Sequence, residues 1–226
     1  MSVCDNLTNV RKRIQVAAAG AGRKWEDITL VAVTKTVAVE TIREALAAGV
    51  QDFGENRPQE LVGKYDELGA EAKWHLIGHL QTNKINKIID KVTMIHSLDS
   101  WRLAEAISKS AAERNLEVRV LIQVNVAGEE SKYGLAPQEA ADFLRDAASL
   151  PGLLICGLMT IAPWVSRVEE VRPVFRQLAD MAKDLKKYPV AAHLDYLSMG
   201  MSGDFEVAVE EGANILRVGT SIFGNR

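Results

Sequence analysis

A lysine at the end of an apolar segment is the first residue that could do chemistry. Lys35 follows the apolar run 30–33, and with the two-residue period of a strand it shares a face with Val31 and Val33. If that face points into a barrel, the ammonium is partly desolvated, which favours the neutral, nucleophilic amine. Such an amine condenses with an aldehyde or ketone to form an imine. The alternative is a lysine that extends past the strand end into solvent.

Two loops near the carboxyl end of the chain could hold a phosphate. Ser202 and Gly203 follow one predicted strand, and Gly219 and Thr220 follow the next. Glycines let the backbone approach an anion, hydroxyls add donors, and Ser202 is a good N-cap for the helix predicted after it. Ordinary turn and capping chemistry explains each loop alone. Together, opposite Lys35 in a barrel, the loops predict a phosphorylated carbonyl ligand.

Two further polar residues follow or end predicted strands. Arg217 shares a strand face with Ile215, and its spacing alone favours an ion pair with a carboxylate of the barrel. Asn56 could reach a ligand hydroxyl or cap a helix.

A histidine pair with four-residue spacing is also present. We expect no metal site at His75 and His79, because Gly78 intervenes, no glutamate follows His75, and the segment begins as a strand.

The elements that must position these residues alternate between short apolar strands and longer helices. We predict strands at 30–33, 52–54, 74–77, 93–96, 118–126, 153–157, 193–198 and 214–218. We predict helices at 3–20, 39–48, 57–68, 82–90, 100–114, 138–148, 168–187 and 203–211. This alternation predicts an α/β fold, namely a single (β/α)8 TIM-barrel domain over 1–226 with an extra N-terminal helix. An open doubly wound sheet is the alternative, and in both folds the residues after the strands line the ligand site.

The composition excludes several classes of function. The chain has 226 residues, 47% of them hydrophobic, with a net charge of −3, which suits one sizeable core and does not favour nucleic-acid binding. Cys4 and Cys156 form neither a disulfide framework nor a zinc motif. Neither an apolar signal region nor a span of about 18 apolar residues is present. We therefore expect a cytoplasmic protein without membrane association.

Six motifs, taken in order along the chain, resemble one known family. They are Leu30-Val31-Ala32-Val33-Thr34-Lys35, Phe53-Gly54-Glu55-Asn56, Trp74-His75-Leu76-Ile77-Gly78-His79-Leu80-Gln81-Thr82-Asn83-Lys84, Gly157-Leu158-Met159-Thr160, Leu197-Ser198-Met199-Gly200-Met201-Ser202 and Arg217-Val218-Gly219-Thr220. In these motifs the sequence resembles the pyridoxal-phosphate homeostasis proteins. The resemblance implies the barrel of the alanine racemase N-terminal domain, a fold type III binder of pyridoxal 5′-phosphate (PLP).

The resemblance also implies roles for individual residues. Lys35 would carry PLP as an internal aldimine, Arg217 would face the pyridine nitrogen, and Asn56 would lie near the ring. The residues implied to hold the phosphate are Ser202, Gly203, Gly219 and Thr220. Relatives often have a second lysine and a proline after the first lysine, whereas this chain has Thr36-Val37-Ala38, so no role is assigned to a second lysine here.

Members of this family are described as carriers or regulators of PLP and amino-acid pools. An arginine at the pyridine nitrogen keeps that nitrogen unprotonated, which makes the ring a weaker electron sink. Racemisation also needs an acid/base on each face of the substrate. Because the chain ends at Arg226, directly after the last strand, we expect neither the C-terminal β-domain of racemases nor the dimer that it forms. The expectation is a monomeric, non-catalytic PLP carrier, with apo PLP-dependent enzymes as candidate recipients.

Two enzymatic alternatives stay open. A PLP-dependent amino-acid racemase or lyase would take its second base from the loop 128–134, from Lys132 or Tyr133. A cofactor-free Schiff-base aldolase would use the same lysine, barrel and phosphate loops.

Overall fold

Eight parallel strands close into a barrel in the order of the chain. A computed structural model of the protein describes residues 2–129, 132–191 and 193–224. The strands are β1 (Thr29–Val33), β2 (Asp52–Glu55), β3 (Lys73–Leu76), β4 (Val92–Leu98), β5 (Val118–Gln123), β6 (Leu153–Met159), β7 (Tyr196–Ser198) and β8 (Ile215–Val218). Because β1 pairs with both β2 and β8, the sheet has no free edge.

Helices alternate with the strands and surround them. They are α1 (Val3–Gly20), α2 (Val39–Ala47), α3 (Pro58–Leu68), α4 (Ile85–Ile88), α5 (Trp101–Glu113), α6 (Ala140–Ala147), α7 (Arg172–Leu185), α8 (Phe205–Glu210) and α9 (Thr220–Phe223). This architecture confirms the predicted (β/α)8 barrel, and α1 precedes its first strand. None of the helices in the described part of the chain is long and apolar enough to cross a membrane.

Two apolar layers follow from the alternation of side chains along the strands. The inward-facing residues form a small cluster inside the barrel, which comprises Val31, Met94, Leu121, Cys156, Met159 and Ile215. The outward-facing residues, such as Phe53 and Trp74, pack with the helices into a larger core. The polar side chains on the inward face are therefore enclosed by the closed sheet.

Helix α1 is held by a capping box at its N-terminus and by a side-chain contact with α9. Ser2 caps it, since its Oγ accepts from the backbone N–H of Asp5 at 3.1 Å while the Asp5 carboxylate accepts from the Ser2 N–H. Asn6 Nδ2 donates to the carbonyl of Ile222 at 2.8 Å. The N-terminal helix is thereby tied to α9, next to the loop after β8.

Two predicted boundaries are wrong near the carboxyl end. Strand β7 begins at Tyr196 rather than at 193; before it, the Asp195 N–H lies 2.8 Å from the His193 carbonyl and 2.9 Å from the Cys156 carbonyl of β6. Helix α8 begins at Phe205 with Asp204 as its N-cap, so Ser202 does not cap it. Helix α9, at 220–223, was not predicted.

Candidate functional site

A cavity of about 740 Å³ lies at the carboxyl ends of the strands. Its lining includes all seven residues that the sequence singled out, namely Lys35, Asn56, Ser202, Gly203, Arg217, Gly219 and Thr220. Barrel closure brings together residues from both ends of the sequence, since β1 and β8 are paired.

Lys35 lies beyond the end of β1 and is exposed. It lines the cavity together with Val33, as the predicted shared face requires. The expected partial desolvation of Lys35 is wrong, because the strand stops two residues earlier. Thr36 then takes a left-handed conformation with φ of +61°, which is uncommon for a β-branched residue and turns the chain away from the sheet.

A buried charged cluster anchors the residue before Lys35. Lys64 Nζ donates to the Thr34 carbonyl and to Glu55 Oε1, both at 2.6 Å, and Thr34 Oγ1 donates to the same carboxylate oxygen at 2.6 Å. Burial raises the pKa of Glu55, while the hydrogen bonds from Lys64 and Thr34 oppose that rise. This cluster fixes the end of β1, and with it the point from which Lys35 extends.

Ser202 joins the two loops predicted to hold a phosphate. Its Oγ accepts from the backbone N–H groups of Gly219 and Ser221, each at 3.2 Å. The turn into this loop needs glycine at Gly200, where φ is +92° and an added Cβ would lie 2.6 Å from the Cβ of Ala208. A Cβ at Gly203 would instead meet nothing within 4 Å. The loops after β7 and β8 therefore lie side by side, with open space beside Gly203.

Arg217 is buried beneath the cavity with 4% of its surface exposed. Its Nη1 group donates to Ser198 Oγ at 2.5 Å and its Nη2 group to the Thr160 carbonyl at 2.8 Å. Among the described residues no carboxylate lies within ion-pair distance of it, so the ion pair favoured by spacing alone is wrong. Burial lowers the pKa of Arg217 to about 10, against the opposing charge of Asp204, and the guanidinium stays charged at neutral pH.

Asn56 follows β2 and lines the cavity, where its backbone packs against Gly78 in the loop after β3. A Cβ at Gly78 would lie 2.4 Å from the Asn56 carbonyl oxygen, so only glycine lets these two segments approach. Helix α3 has Arg57 as its N-cap, without a capping side chain. The helix-capping alternative for Asn56 is therefore wrong.

Comparisons with known proteins assign the chain to a family. The model of the alanine racemase N-terminal domain family matches residues 6–226. The pyridoxal phosphate homeostasis protein of Aquifex aeolicus is 46% identical over 100% of this chain and 99% of its own length. That of Escherichia coli strain K12 is 39% identical over 99% of this chain and 97% of its own. The chain belongs to the pyridoxal phosphate homeostasis protein family.

Solved structures agree with this family and its fold. PipY of Synechococcus elongatus, determined with PLP bound, has a TM-score of 0.86 and 35% identity, and the match covers 99% of this chain and 100% of PipY. Alanine racemase from Corynebacterium glutamicum has a TM-score of 0.72 at 16% identity, with 64% of its chain covered. The latter likeness shows the shared barrel alone.

A second polar group at the cavity consists of His79, Asp99 and Tyr133; the sequence named His79 only as a rejected metal ligand and Tyr133 as a possible base, and it did not predict their contacts or the part of Asp99. His79 Nδ1 lies 3.0 Å from Asp99 Oδ2, and the His79 ring stacks on Tyr133 with centroids 3.9 Å apart. His79 and Tyr133 both line the cavity. Asp99 and His79 each come shortly after a strand, and that position was the signal available in the sequence. Lys132 pairs with Glu129 at 3.7 Å, while Glu130 and Ser131 of the same loop lie outside the described residues.

The charges around the cavity favour an anionic ligand. Its described lining carries the cations Lys35 and Arg217 and no aspartate or glutamate. Amide, hydroxyl and backbone donors of Asn56, Ser202 and Gly203 complete it. Such a set suits a ligand with a phosphate and an aldehyde, since the phosphate needs donors and the aldehyde needs an amine.

Proposed function

We propose that this protein binds PLP through an imine to Lys35 and acts in intracellular PLP homeostasis and amino-acid balance, without strong catalytic turnover. One observation carries the proposal: a primary amine, a buried guanidinium and two glycine–hydroxyl loops share one cavity that has no carboxylate in its described lining. The names of its relatives and the PLP bound to PipY support it.

The proposed bond needs only the amine of this chain. The neutral Lys35 Nζ adds to the aldehyde carbon of PLP, and loss of one water leaves the imine. Exposure of Lys35 lets the aldehyde reach the amine from solvent. Since an imine forms reversibly, the same accessibility supports release of PLP to a recipient, for which apo PLP-dependent enzymes are our candidates.

The other lining residues would hold the rest of the cofactor. We propose that four residues of the two loops contact the phosphate, namely Ser202, Gly203, Gly219 and Thr220. Arg217 would donate to the pyridine nitrogen and Asn56 would contact the ring. Because a guanidinium gives up its proton only at a pH well above neutrality, it leaves that nitrogen unprotonated. The electron-withdrawing capacity that PLP supplies to catalysis is then reduced, which supports a carrier.

A second candidate function is amino-acid proton transfer, and one observation favours it. His79, oriented by Asp99 at 3.0 Å, lies at the same cavity as Lys35. A histidine oriented by a carboxylate is a typical general base. Loss of α-deuterium from several labelled amino acids, abolished in both Lys35→Ala and His79→Gln, would establish this function in place of the carrier.

Reconstitution tests the carrier proposal. Wild-type protein mixed with PLP and desalted should retain a visible absorption band, and Lys35→Ala should retain none. The retained PLP should reactivate an apo PLP-dependent enzyme faster than the same concentration of free PLP if transfer is direct. A wild-type protein that stays colourless after reconstitution contradicts the proposed function.

We further propose that the chain acts as a monomeric single-barrel domain. Light scattering across a hundredfold range of concentration should give the mass of one chain, and a concentration-dependent dimer would contradict this.

A further inference from the structure

A continuous row of hydrogen bonds crosses the interior of the barrel. Arg217 Nη1 donates to Ser198 Oγ at 2.5 Å, and Ser198 Oγ lies 2.9 Å from His96 Nδ1. His96 Nε2 lies 2.9 Å from His75 Nδ1, and His75 Nε2 lies 3.0 Å from Asp52 Oδ1. Four hydrogen bonds thus join five side chains of β8, β7, β4, β3 and β2.

The two ends of this row open on opposite faces of the barrel. Arg217 lines the cavity at the carboxyl ends of the strands. Asp52 is the first residue of β2 and lines a separate cavity beside Thr29 and Leu30, where the strands begin. The row therefore connects the proposed cofactor site with the face that carries no predicted ligand residue.

The row is buried except at Asp52. His75 is 3% exposed, His96 and Ser198 are 0% exposed, and the Asp52 side chain is 21% exposed. Hydrogen bonds in such an interior are stronger than in water, and an unsatisfied group there is costly. The network is therefore specific in geometry and sensitive to the loss of any member.

Elementary bonding rules fix which atoms carry the protons. Arg217 can only donate and the Asp52 carboxylate can only accept. Burial, with the charge of Arg217, holds the pKa of His96 well below its usual range, so His96 is neutral with one N–H. Ser198 Oγ accepts from Arg217, and its only other side-chain contact in the described part of the chain is His96 Nδ1, so the buried hydroxyl donates to that nitrogen. His75 donates from Nε2 to Asp52 and accepts at Nδ1.

Every bond of the row then has a single direction. His75 Nδ1 accepts from His96 Nε2–H, which leaves His96 Nδ1 to accept from the Ser198 hydroxyl. Ser198 Oγ in turn accepts from Arg217. Every donor in the row points away from the guanidinium and toward Asp52. Because the Asp52 carboxylate only accepts, it helps to fix which atom donates in each bond of the row.

We propose that Asp52, His75, His96 and Ser198 are positioning residues that orient Arg217 through this one-directional relay. The described contacts with Ser198 and Thr160 use two of the five N–H groups of the guanidinium, and they leave donors for an acceptor in the cavity. This inference rests on the proposed function, in which that acceptor is the pyridine nitrogen of PLP. The Asp52 carboxylate, at the opposite end of the barrel, thereby orients the Arg217 N–H group that donates to the pyridine nitrogen.

Nitrogen NMR of the cofactor-free protein tests the relay by itself. The chain has four histidines, so ¹⁵N-histidine labelling with single substitutions assigns each ring. At pH 7.5 His75 and His96 should both carry hydrogen on Nε2. A proton on Nδ1 of either ring, or a doubly protonated His96, would overturn the inference.

Asp52→Asn tests whether a change at residue 52 alters the tautomer of His96. A carboxamide can donate as well as accept, so the reversed direction becomes accessible and His96 should show both tautomers, although two hydrogen bonds separate it from residue 52. Glu26→Gln is the matched control, because Glu26 is an exposed carboxylate of the same lower cavity, and it should leave His96 unchanged. An unchanged His96 in folded Asp52→Asn refutes transmission.

PLP binding separates this inference from the proposed function. Ser198→Ala removes one of the two described acceptors that orient Arg217, so it should weaken PLP binding about tenfold, as expected for one charge-assisted hydrogen bond, and move the visible absorption maximum. If the wild-type protein fails to bind PLP, the proposed function is wrong, regardless of the tautomers of His75 and His96. If wild type binds and folded Ser198→Ala keeps both its affinity and its spectrum, the positioning role of the relay is wrong.

Discussion

Ser202 is the residue whose side chain joins the two loops of the proposed phosphate site. Ser202→Ala removes the oxygen that accepts from Gly219 and Ser221 and a hydroxyl that we propose donates to the phosphate. A hydrogen bond to a charged group contributes about 1.5–3 kcal/mol, so the Kd for PLP should rise at least tenfold. Equilibrium titration followed by absorbance measures this change.

Ser149→Ala is the matched control for that substitution. The Ser149 hydroxyl donates to the Asp146 carbonyl in an exposed turn and does not belong to the described lining of the cavity. It should leave the Kd unchanged. Equal affinities of Ser202→Ala and wild type would remove Ser202 from the site.

Lys64 is the residue whose loss should most disturb the end of β1. It is nearly buried and contacts both Glu55 and the Thr34 carbonyl at 2.6 Å. Removing one partner of a buried pair leaves a costly buried charge, so Lys64→Met should lower the free energy of unfolding by about 3–5 kcal/mol. Urea unfolding of the wild type and of Lys64→Met measures this difference in the free energy of unfolding. Lys109→Met, on the exposed face of α5, should change it by less than about 0.5 kcal/mol, and equal effects would contradict the role of the cluster.

At the scale of elements, close approach between loops depends on a few glycines. Gly78→Ala would place a Cβ 2.4 Å from the Asn56 carbonyl, which forces the loops after β2 and β3 apart. We expect a loss of about 1–3 kcal/mol in the free energy of unfolding and weaker PLP binding, measured by thermal unfolding and titration.

Gly63→Ala supplies the opposite expectation within α3. A Cβ there would meet nothing within 4 Å, and alanine favours a helix over glycine by about 0.5–1 kcal/mol. This variant should be more stable than wild type and bind PLP equally well. A Gly78→Ala variant as stable as Gly63→Ala would contradict the steric account.

Much of the element pattern was predictable, because apolar periodicity is local. Eight strands and eight helices were predicted, and their alternation favoured the closed barrel that the structure has over an open doubly wound sheet. The errors concern residues just beyond the end of a strand or just before the start of a helix. Strand β1 gives way to a turn at Thr36, so Lys35 is exposed, and Asp204 takes the capping position expected of Ser202.

At the scale of the whole molecule, partners distant in sequence could not be predicted. Arg217 contacts Ser198 and Thr160, which precede it by 19 and 57 residues, and no local pattern pairs them. His79 and Asp99 lie 20 residues apart and meet only because β3 and β4 are neighbours. The residues after the strands were predictable as lining, whereas the hydrogen-bond network beneath them depends on closure of the barrel.

Stability as a function of pH should report the buried histidine at the centre of the barrel. The pKa of His96 in the folded protein lies well below the usual 6.5, so the unfolded chain binds the extra proton in the window between them. Its contribution to stability is fully present above pH 6.5 and is lost as the pH falls below it, with a slope of up to about 1.4 kcal/mol per pH unit.

Urea unfolding from pH 7.5 to 5 measures that slope. His96→Gln does not titrate, so its stability should fall less steeply with acid than that of wild type. His193→Gln, which replaces an exposed histidine, should keep the wild-type slope. Parallel curves for wild type and His96→Gln would contradict a neutral, buried His96.

The imine to Lys35 is the central claim, and its most direct test is chemical trapping. Borohydride reduction of the PLP-loaded protein converts an imine into a stable secondary amine, and digestion followed by mass spectrometry locates the added phosphopyridoxyl group. We predict one modified lysine, Lys35, with loss of the visible band and no trapped adduct in Lys35→Ala. A group trapped on another lysine, or PLP released unmodified after reduction, would contradict the account.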